Sequence, residues 1–316
     1  MRYIKLPRVY DNQSEHDLSQ EDLKKQRELA TIVEQWRSHK AKATAVACKM
    51  LEGNYGGERL FGRGQRMFEC GDDVTIKWYK DERRIEAKRC RDKLCPLCAW
   101  RLSMQRQRVL STGLKAAIEN DAEPTQFAFI TLTVRNCKNS TLRPTIDWMN
   151  AAWREMTRRN PWKKTYCGYY RTLEVTYNEE QDTYHPHFHT IAELKKGAGV
   201  NLEEIRAAWK SALAIDYNPI CEAHRIEPRG KNDLTDAVVE VSRYALSPAM
   251  LESADIEVLH TLAEHLANVK VVTAGGSLRK YTKRPELPTP SSRMIARTNL
   301  FWDEAKEEYI ATHRNA

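Results

Sequence analysis

Two hydrophobic periods alternate along the chain. In "FAFITLTV" (127–134), Ala128, Ile130, Leu132 and Val134 fall on one side and Thr131 and Thr133 on the other, which is the two-residue period of a strand. "TIDWMNAAWREMTRR" (145–159) spaces Ile146, Met149, Trp153 and Met156 as one face of a helix. Alternation returns in "YRTLEVTY" (170–177), with Leu173, Val175 and Tyr177 opposite Thr172, Glu174 and Thr176. A polar turn, "NEEQD", then leads into a further strand, "YHPHFHT" (184–190). "NLEEIRAAWKSAL" reads as an amphipathic helix that opens like a capping box, with Asn201 and Glu204. "DLTDAVVEVSRYAL" (233–246) predicts another helix, with Leu234, Val238, Val241 and Ala245 as its apolar stripe.

Upstream, "SQEDLKKQRELATIVEQWRSHKAKATAVACKM" predicts a helix capped by Ser19, with Glu21 or Asp22 in its first turn. Residues 60–98 are punctuated by Gly and Cys around one alternating stretch, "VTIKWY", and predict a small hairpin module. A basic helix follows from Trp100 to Glu119. The pattern predicts an α+β fold, an antiparallel sheet with helices packed on one face. Its expected divisions are an N-terminal helical segment (1–59), a Cys module with its basic helix (60–120), a core (121–283), and a Pro-rich linker, "RPELPTP", with a helical tail (284–316).

The "YHPHFHT" strand carries the first candidate chemistry. Residues i, i+2 and i+4 of a strand share a face, so His185, His187 and His189 point one way and Phe188 the other. Phe188 is the large apolar member and belongs in the core, which leaves the imidazoles on the open face. If the two strands form an antiparallel hairpin, Leu173 and Val175 join the Phe188 face and Glu174 joins the histidines, between Thr172 and Thr176. Imidazoles beside a carboxylate suit a divalent ion such as Mg²⁺ or Mn²⁺ with open coordination positions.

The eight cysteines change the picture next. No apolar signal region precedes them, so a reducing cytoplasm and a metal role are the expectation, ahead of a disulfide scaffold. Cys70, Cys90, Cys95 and Cys98 follow the spacing C-x19-C-x4-C-x2-C, the donor set of a closed structural Zn²⁺ site. Cys48, Cys137, Cys167 and Cys221 fall outside it and are expected to be ordinary buried thiols. The longest apolar-looking run has eight residues, far too short to span a membrane.

The net charge of +8 points to an anionic partner. From Asp81 to Leu110 nine Lys or Arg stand against four acids, and Arg91, Lys93 and Arg101 of this stretch are candidate DNA contacts. A second stretch, "WREMTRRNPWKKTYCGYYR", offers Arg158, Arg159, Lys163 and Lys164 interleaved with aromatics, a combination that can serve phosphates and unstacked bases together. Trp153 within it is expected in the core. On the "VVEVSRYAL" helix Glu240 and Tyr244 are i, i+4, so the carboxylate would lie one turn from a nucleophilic hydroxyl. A tyrosine hydroxyl has a pKa near 10 and needs help to attack near neutrality; Glu240 could act as base for Tyr244 or for a later water.

Taken together, "FITLTV", "HPHFHT" and "EVSRY" in this order, with "LEVTYN" and the "C-x4-CPxC" element upstream, resemble rolling-circle plasmid replication initiators of the HUH endonuclease superfamily, in the branch that pairs one tyrosine with a Glu. The resemblance covers roughly residues 60–280. It implies an RRM/ferredoxin-like core and a zinc-ribbon-like module. His187 and His189 would be metal ligands, with the third ligand open between His185 and Glu174. Tyr244 would be the nicking nucleophile and Glu240 the substitute for a second tyrosine. Arg243 stands where many relatives carry Lys. The implied activity is metal-dependent, site-specific nicking and rejoining of single-stranded or hairpin origin DNA through a 5′-phosphotyrosine, with host helicase and DNA polymerase as partners and a homodimer as an open arrangement. Two alternatives stand beside it: a non-catalytic zinc-containing DNA-binding regulator, and an HUH transposase or relaxase.

Overall fold

A computed structural model of the chain describes residues 20–52, 57–80, 82–120, 125–227, 233–282 and 290–315. Ser19 and most of "RPELPTP" lie outside them. The elements run α1 (Gln20–Glu52), α2 (Gly57–Phe68), β1 (Asp73–Trp78), β2 (Arg83–Ala87), α3 (Pro96–Asn120) and β3 (Phe127–Thr133). They continue with α4 (Leu142–Arg158), α5 (Asn160–Thr165), β4 (Tyr166–Asn178), β5 (Thr183–Leu194), α6 (Leu202–Leu213) and β6 (Cys221–Arg225). The last are α7 (Leu234–Val241), α8 (Pro248–Ser253), α9 (Ile256–His265), β7 (Val272–Gly276), β8 (Ala296–Asp303) and β9 (Glu308–Asn315). They fall into two compact units, residues 1–98 with 286–316, and residues 99–285.

The first unit holds a four-stranded sheet in the order β2-β1-β8-β9, all pairs antiparallel. Val74, Ile76 and Trp78 of β1 and Leu300 of β8 are buried on one face, and the Trp78 indole donates to Thr298 Oγ1 at 3.0 Å. Along α1 the residues Leu29, Ile32, Val33, Trp36, Ala43, Ala47 and Met50 form a buried stripe at helical spacing. Lys40 lies in the same stripe at 1% exposure, and its ammonium is paired with Asp72 at 2.6 Å. The expected C-terminal helical tail is corrected here. Residues 296–315 are a hairpin, and β8 pairs with β1 from Asp73↔Phe301 to Trp78↔Ala296. The C-terminal strands therefore complete the sheet that the "VTIKWY" hairpin starts.

The second unit holds a five-stranded antiparallel sheet in the order β6-β3-β5-β4-β7. The histidine strand, β5, is its centre. The hairpin register is the one expected, with Leu173↔Phe188, Glu174↔His187, Thr172↔His189 and Thr176↔His185. On the Phe188 face lie α4 and α6. Trp153 and Trp209 each approach the Phe188 ring to 6.1 Å, and Trp209 Nε1 donates to the Thr133 carbonyl at 2.9 Å. All four apolar positions read from the α4 pattern are buried, as is Trp153 among them. Asn201 caps α6 by accepting from the Glu204 N–H at 3.2 Å.

The histidine face is only partly open. At one end Phe129, Tyr170 and Ile191 are buried against Leu110 and Leu114 of α3 and Leu234, Ala237, Val238 and Val241 of α7. Helices therefore contact both faces of the sheet. The covering of the second face brings the end of α7 to the edge of the histidine cluster.

Candidate functional site

Glu174, His187 and His189 present one ligand atom each, all within 4.8 Å of one another. Glu174 Oε2 lies 3.3 Å from His187 Nε2 and 3.1 Å from His189 Nε2. The strand register explains the convergence. Glu174 stands directly opposite His187, and His189 is two residues along the same face. Each imidazole is oriented through its other nitrogen. His187 Nδ1 is 3.1 Å from the His185 carbonyl and His189 Nδ1 is 3.3 Å from Thr131 Oγ1. A carbonyl can only accept, so Nδ1 of His187 carries a proton, and Nε2, which faces Glu174, is the nitrogen left to meet a metal. Such outer contacts fix metal-binding imidazoles in general.

Burial opposes ionisation of Glu174, but hydrogen bonds from His187 and His189 and the attraction of their charges outweigh it and hold the carboxyl at about 2. Burial pulls the His187 imidazole down, and Glu174 more than reverses this, leaving it raised. With those shared protons displaced by an ion, the two imidazole nitrogens and the carboxylate form a donor set that fits Mn²⁺ or Mg²⁺ with positions left for water and phosphate. His185 is not in this cluster. Its ring lies 5.3 Å from that of His187, its carbonyl orients His187, and burial pushes its own imidazole down. The geometry groups Glu174, and not His185, with the two other histidines.

Glu240, on the last turn of α7, lies at the rim of this cluster, with Oε1 3.6 Å from His189 Nε2 and Oε2 2.9 Å from Arg243 Nη2. The expected helix over 233–246 stops early. It ends at Val241, and Arg243 N–H reaches back only to the Glu240 carbonyl. The cause lies in the sheet, since Val175 N–H donates to the Ala245 carbonyl at 2.9 Å and draws the chain beyond Val241 onto β4. Tyr244 therefore lies in irregular chain after the helix, half-buried, and burial pushes its hydroxyl up. Glu240 and Tyr244 are thus not on successive turns of one helix, and Ala245 is not a fourth member of a helical stripe.

Cys70, Cys90, Cys95 and Cys98 also converge, with all four sulfurs within 4.8 Å. Sulfur separations are 3.5 Å for Cys70–Cys98, 3.7 Å for Cys90–Cys98 and 3.8 Å for Cys95–Cys70. Zinc–sulfur bonds of about 2.3 Å in a tetrahedron put the sulfurs about 3.8 Å apart, so this set fits Zn²⁺. Backbone N–H groups of Cys90, Arg91, Asp92 and Cys98 point at the sulfurs at 3.3–3.5 Å, a placement that favours thiolates. The knuckle is braced from outside by Asp92, which accepts from the Leu94 N–H and takes both arms of Arg63 at 2.8 Å. Gly71, at φ 81°, is required beside Cys70, because a Cβ there would meet Leu97 Cδ2 at 2.4 Å. Of the other cysteines Cys221 is buried, Cys48 and Cys137 are part-buried, and Cys167 is exposed, against expectation.

The basic candidates separate into groups. Arg91 and Lys93 are exposed on the Cys module, Arg101 lies over the Trp100 ring at 5.4 Å, and Arg243 is exposed beside Glu240. Arg158, Arg159, Lys163 and Lys164 are exposed, but on α4 and α5, the layer of the Phe188 face. From the end of α5, β4 runs from Tyr166 to Thr172 before it meets His189, about 20 Å of strand. The structure does not bring these four to the histidine cluster. The aromatics among them are also committed elsewhere, because Trp153 packs on Trp162 at 5.2 Å and on Tyr169 at 5.0 Å, and Trp162 on Tyr166 at 4.4 Å. One residue not singled out as a contact is Arg106 of α3, whose guanidinium is desolvated near Tyr170 of the histidine face. Only its membership of a basic helix was visible in the sequence. Among the described residues no helix is long and apolar enough to cross a membrane.

No solved structure matches the chain. A protein rep of Streptococcus pneumoniae serotype 2 (strain D39 / NCTC 7466) is 29% identical over 303 residues, covering 88% of this chain and 92% of that one. A protein rep of Bacillus amyloliquefaciens is 29% identical over 282 residues, covering 80% and 82%. One from Staphylococcus aureus is 32% identical over 178 residues, covering 54% and 75%. The Rep_1 family model, described as replication protein, matches residues 82–314, a span that takes in the Cys cluster at Cys90–Cys98, the Glu174–His187–His189 cluster, Tyr244 and the C-terminal hairpin; the chain belongs to this family and is a plasmid rolling-circle replication initiator.

Proposed function

We propose that this initiator nicks and rejoins one strand of its origin in a metal-dependent reaction, with Tyr244 as nucleophile. The observation that carries the proposal is the convergence of Glu174, His187 and His189 beside Glu240, four residues before Tyr244. The three would hold Mn²⁺ or Mg²⁺, which when bound supplies Lewis-acid polarisation of the scissile phosphate. Tyr244 Oη attacks phosphorus and loses its proton to solvent or a nearby base. A P–O bond forms to tyrosine and the P–O3′ bond breaks. The products are a 5′-phosphotyrosine and a free 3′-OH for a polymerase. Of the two jobs open to Glu240, its contacts with His189 and Arg243 support the second, taking a proton from a water that later hydrolyses the adduct. The Cys cluster would hold structural Zn²⁺. Arg91, Lys93, Arg101 and Arg243 are proposed DNA contacts. Arg158, Arg159, Lys163 and Lys164 would meet DNA only away from the nick. Host helicase and polymerase would follow the initiator onto the opened origin.

The test is a covalent-adduct assay with single-stranded origin DNA. Wild type should form a protein–DNA band with Mn²⁺ or Mg²⁺ and none with EDTA; absence of the band under every divalent ion would remove the enzyme proposal. The ligand set has its own prediction. Glu174→Gln should weaken Mn²⁺ binding, read by calorimetry, by more than the roughly 10- to 100-fold that loss of an outer contact costs. His185→Ala, which keeps the carbonyl that orients His187, should change it less than either. The reverse order would return His185 to the ligand set.

A further inference from the structure

The Phe188 face of the larger sheet contains a charge that nicking does not use. Arg171, on β4, is 2% exposed. Its guanidinium carbon lies 3.8 Å from the Phe188 ring centroid and 4.9 Å from that of Trp153. Nη2 donates to Asn150 Oδ1 at 2.6 Å. Nε and Nη1 have no hydrogen-bond partner among the described residues. Among the described residues no carboxylate pairs with it, and the charged group that acts on it is another cation, Arg154. A guanidinium does not escape burial by losing its proton under ordinary conditions, so among the described residues this buried cation has no counter-charge. The two aromatic faces attract it but offer its in-plane N–H groups no acceptor.

The neighbours repeat the deficit. Thr190 of β5 and Thr273 of β7 stand directly opposite Arg171 on either side, on the same face of the sheet. Thr190 is fully buried, and Thr190 Oγ1, Thr273 Oγ1 and Trp153 Nε1 are all without partners among the described residues. The nitrogens can only donate, and the hydroxyls are able to. What this spot lacks is an acceptor and a negative charge.

We propose that Arg171, Thr190 and Trp153 form a buried binding site for a small inorganic anion of chloride size. The guanidinium geometry supports a fork. Nη2 carries one hydrogen on each of the two donor edges, so whichever one Asn150 takes, the other edge keeps two parallel N–H groups. Thr190 and Trp153 add an O–H and an N–H. A water would satisfy some of these donors and leave the charge uncompensated. A nucleic-acid phosphate has no access to a side chain 2% exposed. The ion would lie behind the strand that carries His187 and His189, beneath the Phe188 between them.

The test compares thermal unfolding in sodium chloride and in sodium gluconate at equal ionic strength. Wild type should gain about 3–5 °C for each tenfold rise in chloride above its dissociation constant. Arg171→Met and Thr190→Val should lose that dependence. If Arg171→Met does not fold, Thr190→Val carries the comparison. Crystals grown in bromide should show an anomalous peak within hydrogen-bonding distance of Arg171. A wild-type midpoint indifferent to chloride, an unchanged dependence in Thr190→Val, or a bromide crystal with water alone at the guanidinium would each overturn the site.

Discussion

Tyr244→Phe is expected to abolish the covalent protein–DNA species and to slow strand cleavage by at least about a thousandfold, the minimum for removal of a nucleophile. The substitution deletes one oxygen and keeps the ring. Tyr244 is half-buried, and burial raises the pKa of its hydroxyl. The phenylalanine variant should therefore fold with wild-type stability, bind Mn²⁺ with wild-type affinity and retain origin DNA. This combination separates loss of chemistry from loss of structure. The raised hydroxyl also has a consequence for the rate. A phenol disfavoured as phenolate must gain its help from the phosphate side, so adduct formation should depend steeply on the identity of the divalent ion. The readout is a denaturing gel of end-labelled origin oligonucleotide. A surviving adduct in Tyr244→Phe would move the nucleophile to another residue.

How much of this site could be read in advance depended on how far apart its parts lie in sequence. Glu174 and His187 belong to one hairpin. Period-two alternation on both strands, with Phe188 and Leu173 as apolar markers, was enough to set the register and put the carboxylate among the imidazoles. The Cys cluster was legible for the same reason, since three of its members fall within nine residues. The choice between His185 and Glu174 was not legible, because alternation puts both on one face and only the converging side chains distinguish them.

Longer-range effects were hidden. The end of α7 is set by Val175 N–H on β4, about seventy residues upstream, and propensity within "AVVEVSRYAL" carries no trace of it. The C-terminal hairpin pairs with β1 more than two hundred residues away, and its turn is "EAKE" (304–307), a run of good helix formers. Helix propensity there was overridden by the open edge of β1. Likewise the aromatics of "WREMTRRNPWKKTYCGYYR" are a composition suited to bases, yet their spacing on α4, α5 and β4 turns them on one another.

Cys95→Ser should release zinc and unfold the smaller sheet while leaving the larger one intact. The four thiols join the end of α2, the strand exit after β2 and the start of α3. Structural zinc contributes about 10–16 kcal/mol in small peptides, against a whole-domain stability of about 5–15 kcal/mol. One missing thiolate should therefore cost more than the unit can spare. Zinc content measured by mass spectrometry should fall from about one per chain to a small fraction. Amide exchange should show loss of protection in β1, β2, β8 and β9 and retained protection in β3, β4 and β5, which form a separate compact unit with its own core. Mn²⁺ affinity at Glu174, His187 and His189 should persist. If Cys95→Ser keeps its zinc and its protected first sheet, the close sulfurs are packed thiols and not ligands, and the stability of that unit rests on the α1 stripe and the β1–β8 pairing alone.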